Sequence, residues 1–197
     1  MILRLFSLSL LLIVVACSSS QKPVKLIVKE CFYPDNNKEN APLWVCGAPV
    51  EVNGVVVSFT AVGSAPKSKA GINFTTQQAT ANARLALAQQ LDSTINASVK
   101  ESVESRGSGS EEVVNNISSL LREQTTKQQL VGSKILAQTT SSNGTMYIII
   151  GLDPQAYKTL IKQVFDASYS KNKAEWEKNL NSGEINKIKD NLNSKAE

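Results

Sequence analysis

The segment pattern of this chain predicts an α+β fold, a mainly antiparallel sheet covered by amphipathic helices in the order β-α-β-α-β-β-α. Three observations carry the prediction. A β-branched run at residues 55–62 follows an Asn-Gly pair, two β-rich runs at 130–140 and 145–152 flank a second such pair, and separate stretches place apolar residues at three- and four-residue spacing.

The first twenty residues, M-I-L-R-L-F-S-L-S-L-L-L-I-V-V-A-C-S-S-S, carry one positive charge at Arg4 and then an uncharged, mostly apolar run over 5–15. That run is shorter than the roughly 20 apolar residues a bilayer span needs. It reads as an export signal and is set aside from folding. Val14, Val15, Ala16 and Cys17 resemble the bacterial lipobox, in which diacylglycerol is linked to the cysteine before cleavage and the freed amine is then acylated. The expectation is a lipoprotein signal peptide over 1–16, cleavage between Ala16 and Cys17, and palmitate-type lipid on Cys17; an ordinary signal peptide or a membrane-anchored N-terminus are the competing readings. One acyl chain anchors only marginally at about 0.8 kcal/mol per buried methylene, whereas several on one residue anchor stably. Ser18 after the cysteine resembles the enterobacterial pattern for export onward to the outer membrane.

Cleavage after Ala16 removes 16 of the 197 residues and leaves 181, enough for one domain with its own core. Losing Arg4 reduces the 21 basic residues to 20, against 17 acidic ones, and the lysines are scattered. No nucleic-acid partner is implied. Two further cysteines, Cys31 and Cys46, could pair in an oxidising compartment, where such a bridge restrains the unfolded chain by roughly 3 kcal/mol. One buried and one free thiol is the alternative. With no histidine and no C-x-x-C spacing, a metal site is not expected.

Residues 17–41 read as a lipidated N-terminus and a polar tether, interrupted only by an apolar alternation at 24–28, and a domain over 42–170 follows. Residues 50–52 face the 55–62 strand across Asn53-Gly54, and Gly63 bounds that strand. Ala79, Ala83, Ala86, Leu87 and Leu91 then predict a helix from about 75 to 91, whose small alanines let a sheet approach closely. Residues 75–78 are a candidate capping box. Ile95, Ala97, Val99 and Val103 switch to period two and predict a strand, broken at 107–110. Val113, Val114, Ile117, Leu120 and Leu121 predict a second helix, with Glu111 and Glu112 at its positive end. Asn143-Gly144 supplies the hairpin turn, and Asp153-Pro154 starts a helix with Tyr157, Leu160, Ile161, Val164 and Phe165 on its buried stripe. Residues 171–197 read as a polar helical arm, with Trp176, Leu180, Ile185, Ile188 and Leu192 too sparse to hold a helix alone. Such an arm lies either on its own domain or on a partner.

The segment from Trp44 through A-V-G-S-A, the A-T-A-N-A-R-L-A-L-A-Q-Q-L stretch from Ala79 to Leu91, and N-G-T-M-Y-I-I-I-G-L-D from Asn143 to Asp153 resemble the LPP-twenty outer-membrane lipoprotein family. The stretch at residues 81–88 is the most distinctive part. The resemblance implies a helix packed on a curved antiparallel sheet, an outer-membrane or surface location and no known enzymatic activity. Some members contribute to flagellar outer-membrane structures, but nothing in this chain points to that subgroup. Arg84, beside the apolar stripe, reads as a solvated edge residue.

No histidine is available as a base, no serine sits in G-x-S-x-G, and Gly63 lacks phosphate-loop spacing. An enzyme and a bound cofactor are therefore not expected. The expected function is a lipid-anchored cell-envelope protein with a structural or protein-interaction role, pairing with copies of itself or with an envelope complex. A periplasmic or surface module that binds a ligand or peptidoglycan is the alternative.

Overall fold

The computed structural model describes residues 30–104, 111–127, 130 and 132–195, so Ala16 and Cys17 lie outside the described residues. The elements run β1 (Phe32–Tyr33), β2 (Asn36–Asn40), a 3-10 turn (Leu43–Cys46), β3 (Val50–Val52), β4 (Val55–Val57), β5 (Phe59–Ala65), α1 (Ile72–Glu104), α2 (Glu111–Lys127), β6 (Lys134–Thr140), β7 (Met146–Leu152), α3 (Pro154–Lys171), α4 (Lys173–Asn179) and α5 (Ser182–Ser194). This is an α+β fold, with antiparallel pairing throughout its three small sheets.

The central sheet has the order β5-β7-β6. All seven residues of β7 are buried, as the unbroken M-Y-I-I-I-G-L run requires of a strand covered on both faces. Phe59, Ala61, Gly63 and Ala65 of β5 pair with Leu152, Ile150, Ile148 and Met146 of β7 and form the face beneath α1. The opposite face presents Ile149 and Tyr147. Ile149 borders the 3-10 turn segment, and the Tyr147 ring lies 5.3 Å from that of Tyr33.

Gly63 is therefore inside β5, not at its end. A Cβ there would lie 2.1 Å from the Ala83 nitrogen and 2.4 Å from the Ala79 carbonyl oxygen. Glycine facing two fully buried alanines brings helix and sheet backbones into direct contact, the close approach that the small alanines allow.

The strand expected over 95–103 is instead the second half of α1. Ala79, Ala83, Leu87, Leu91, Ile95, Val99 and Val103 are each at most 1% exposed. A four-residue spacing satisfies period two as well as helical packing, and no glycine or proline interrupts the sequence from Ile72 to Glu104. At 3.6 residues per turn, each four-residue step drifts about 40° around the helix. The apolar stripe consequently winds from β5, at Ala79 and Ala83, past α2, where Arg122 reaches Asp92 and Asn96, to α5, where Asn191 donates to Ser102. The capping box at 75–78 is also displaced. Thr75 is already helical; its backbone N–H and its hydroxyl both donate to the Gly71 carbonyl.

Both Asn-Gly turns are where the sequence puts them, with Asn53 and Gly54 at φ 53° and 80° and Gly144 at φ 85°. The first strand of the β6-β7 hairpin starts at Lys134 rather than at 130, after a turn through Leu130 and Gly132. Asp153 caps α3 by accepting from the Ala156 N–H at 2.8 Å, with Pro154 in the first turn. The expected break at 107–110 lies outside the described residues.

Two expected boundaries move. Residues 31–41, assigned to the tether, form the β1-β2 hairpin against the β6-β7 end of the sheet, because that face would otherwise leave Tyr147 uncovered. Residues 171–195, assigned to a polar arm, pack α4 and α5 on α3 and α1. Trp176, Ile188 and Leu192 are fully buried, and Tyr157 donates to the Leu192 carbonyl. Their apolar residues look sparse because each helix is short and lends only one turn-to-turn row to the shared core.

Candidate functional site

Cys31 and Cys46 are bonded, with Cα atoms 5.9 Å apart, which ties the start of the described chain to the 3-10 turn. Arg84 is exposed on α1, and Glu111 and Glu112 stand exposed in the first turn of α2. Among the described residues, the disulfide, Arg84 and the Glu111–Glu112 pair are not brought together into a shared site. Among the described residues, no group of three or more His, Cys, Asp or Glu side chains could hold a metal.

The structure does assemble a polar cluster where the β1-β2 turn meets the β6-β7 turn. Ser141 and Tyr147 hydroxyls donate to the two Asp35 carboxylate oxygens at 2.7 and 2.8 Å, and Asn143 donates to the Asp35 carbonyl at 2.8 Å. Ser142 donates to Glu39 through its backbone N–H at 2.9 Å and its hydroxyl at 2.6 Å. Tyr33 and Thr139 share a hydroxyl contact of 2.7 Å. Partial burial pushes the Asp35 carboxyl up, but donors from Ser141, Thr145 and Tyr147 together outweigh it and hold it below its ordinary 3.8. Ser142 holds Glu39 below 4.5. Burial, reinforced by the Asp35 carboxylate, pushes Tyr147 up to about 12. These carboxylates are ionised acceptors at neutral pH, and their chemistry is fastening. Nothing in the local sequence pairs 35 and 39 with 141–147, because the partners are more than 100 residues apart.

Depressed carboxyl pKa values give a signed expectation. The fastening is complete above the unfolded values of 3.8 and 4.5 and is lost as pH falls through the lower folded values. Amides of residues 32–40 should exchange faster at pH 3 than at pH 6 after correction for intrinsic rates, while β7 amides stay protected. Combining Asp35→Asn with Glu39→Gln should remove that pH dependence. A dependence unchanged in the double variant would assign it elsewhere.

The second feature is a projecting hairpin. Among the described residues, β3 and β4 pair only with each other, in register Val50 with Val57 and Val52 with Val55. Val52, Val55 and Val56 are 40%, 49% and 53% exposed. Val52 and Val55 form the apolar pair nearest the Asn53-Gly54 turn, and Val56, on the opposite face, borders an open groove of about 500 Å³. The sequence shows the valines but not that one pair is left bare, since their burial depends on whether the hairpin joins the main sheet.

The described residues thus form a layered α+β domain, fastened by internal polar ties and with one apolar hairpin exposed. No helix among the described residues is long and apolar enough to cross a membrane. The chain belongs to the LPP20 lipoprotein family, whose model matches residues 42–153, from the 3-10 turn to the cap of α3. It is accordingly a lipoprotein of the cell envelope, joined to a membrane through lipid. No curated protein sequence matches the chain.

Proposed function

We propose that the protein acts as a lipid-anchored structural or protein-interaction component of the envelope, at the outer membrane, with lipid on Cys17 and with copies of itself or other envelope proteins as partners. The observation that carries this reading is the β3-β4 hairpin. Three half-exposed valines on a two-stranded projection cost solvation and contribute nothing to the core, so they serve a contact outside it. The chemistry of the polar groups agrees, since Asp35 and Glu39 are committed to holding one hairpin on another. Catalysis and a cofactor have no role in this reading.

A photo-crosslinking residue at Val55, in the lipidated protein in cells, should give adducts with protein. Adducts confined to peptidoglycan, or none, would overturn the interaction reading. The anchor has its own test: labelled palmitate should enter the mature protein, and Cys17→Ser should abolish labelling and release the protein from membranes. Labelling that persists in this variant would exclude Cys17 as the lipid site.

A further inference from the structure

Past the end of β5, residues 66–74, P-K-S-K-A-G-I-N-F, form a loop and the first residues of α1. All of them except Ser68 are exposed. Ile72 is 63% and Phe74 48% exposed, and no large apolar side chain among the described residues is barer than Ile72. The tip is braced from within. The Ser68 N–H donates to the Thr75 hydroxyl at 3.1 Å, the Ala70 N–H to the Ser68 hydroxyl at 3.1 Å, and the Gly71 N–H to the Ser68 carbonyl at 3.2 Å. The Lys67 stem lies against the β6-β7 turn, where a Cβ on Gly144 would stand 3.2 Å from it. Ile72 and Phe74 are therefore presented on a fixed support. Lys67 and Lys69 flank Ser68, and the first turn of α1 has no acidic residue, so the side-chain charge of the tip is wholly positive.

We propose that this tip docks on the anionic phospholipid surface of the membrane to which the protein is joined, with Ile72 and Phe74 entering the boundary between headgroups and acyl chains and Lys67 and Lys69 meeting lipid phosphates. Charge selects this occupant. Bare apolar side chains flanked by lysines match a surface that is negative outside and apolar just beneath. Size selects it as well. A lasting protein interface takes about 20–30 residues a side, more than this tip offers. A membrane contact can be weak on its own, because the covalent lipid of this family already holds the domain beside the bilayer at high effective concentration.

The acidic groups at this end of the sheet, Asp35 and Glu39, accept hydrogen bonds from Ser141, Tyr147 and Ser142, which disperse their charge. Exposed Lys38 lies between them in the same hairpin and adds a third cation. The membrane contact leaves the valine hairpin free. β4 runs into β5 at Phe59, whereas the tip follows Ala65, about 20 Å further along the strand. One strand thus carries the membrane contact at one end and the base of the hairpin at the other, and neither contact depends on the other.

The test uses the full lipidated protein on phosphatidylethanolamine vesicles that contain phosphatidylglycerol. A photo-crosslinking residue at Phe74 should give adducts with lipid, roughly tenfold more than the same residue at Leu85, which is 60% exposed about 16 Å further along the same helix. Equal lipid labelling at the two positions, adducts only with protein, whether this chain or another, or no adducts at all would overturn the proposal. Lys67→Glu combined with Lys69→Glu changes only exposed side chains. It should lower the lipid adducts at Phe74 by about tenfold or more, because reversed charges are repelled by anionic lipid. Labelling undiminished in that variant would overturn it equally.

Discussion

Gly63→Ala should be the most damaging single-methyl addition in this protein. The new Cβ would be placed 2.1 Å from the Ala83 nitrogen and 2.4 Å from the Ala79 oxygen, both main-chain atoms of a 33-residue helix. A flexible side chain could turn away; a helix backbone must be displaced as a body, and with it the row from Leu87 to Val103 that it buries. Overpacking usually costs about 1–3 kcal/mol, and a contact with no yielding partner belongs at or above the top of that range. At about 2–4 °C per kcal/mol for a domain of this size, the melting temperature should fall by roughly 10 °C, read by circular dichroism. Gly151→Ala is the matched control. Its nearest neighbours, at 2.8 Å, are the ends of the Leu136 and Val57 side chains, with the Phe59 carbonyl oxygen at 3.1 Å, so most of the strain can relax. A Gly63→Ala protein as stable as the wild type would mean that α1 does not sit on β5 as described.

Truncation after Ser170 should abolish cooperative folding. It removes Trp176, Leu180, Ile185, Ile188 and Leu192, all in the hydrophobic core. It also removes the acceptor of the buried Tyr157 hydroxyl, whose pKa burial pushes above its ordinary 10.0. Five buried side chains at about 1.5–3 kcal/mol each amount to on the order of 10 kcal/mol, as large as the whole net stability of a typical domain. Trp176→Ala alone should cost about 3–5 kcal/mol in urea unfolding. The tryptophan meets Phe165 and Tyr169 edge-on at 5.4 and 6.1 Å, and its indole N–H donates to Ser168. A truncated chain that kept its melting temperature would detach α4 and α5 from the core.

The same region shows where sequence reading reaches its limit. Residues 50–57 declare themselves as strand material by β-branching around an Asn-Gly turn, yet that says nothing about which edge a strand will meet. Trp176 and Ile188 look isolated on their own helices, because a short helix shows its buried row only once its neighbour is known. Asp35 and Tyr147 carry no local signal of their contact, which exists only because two turns more than 100 residues apart meet.

Local chemistry sufficed for features decided within a few residues. The Asn-Gly turns at 53–54 and 143–144, the Asp153 cap and the family pattern in 42–153 were all legible, as was the alanine face at Ala79 and Ala83 that meets the sheet. The four-residue row from Ala79 to Val103 was ambiguous by arithmetic, since four is a multiple of the strand period and close to the helical one. Packing against β5, α2 and α5 in turn resolved it as one helix, because only a helix carries such a row around its axis to three different neighbours. Burial of the N-terminal hairpin and of α4 and α5 was settled the same way. Whether a half-apolar segment is a tether, an arm or a layer depends on which surface elsewhere in the chain is left uncovered, and that surface exists only after the sheet and α1 have met.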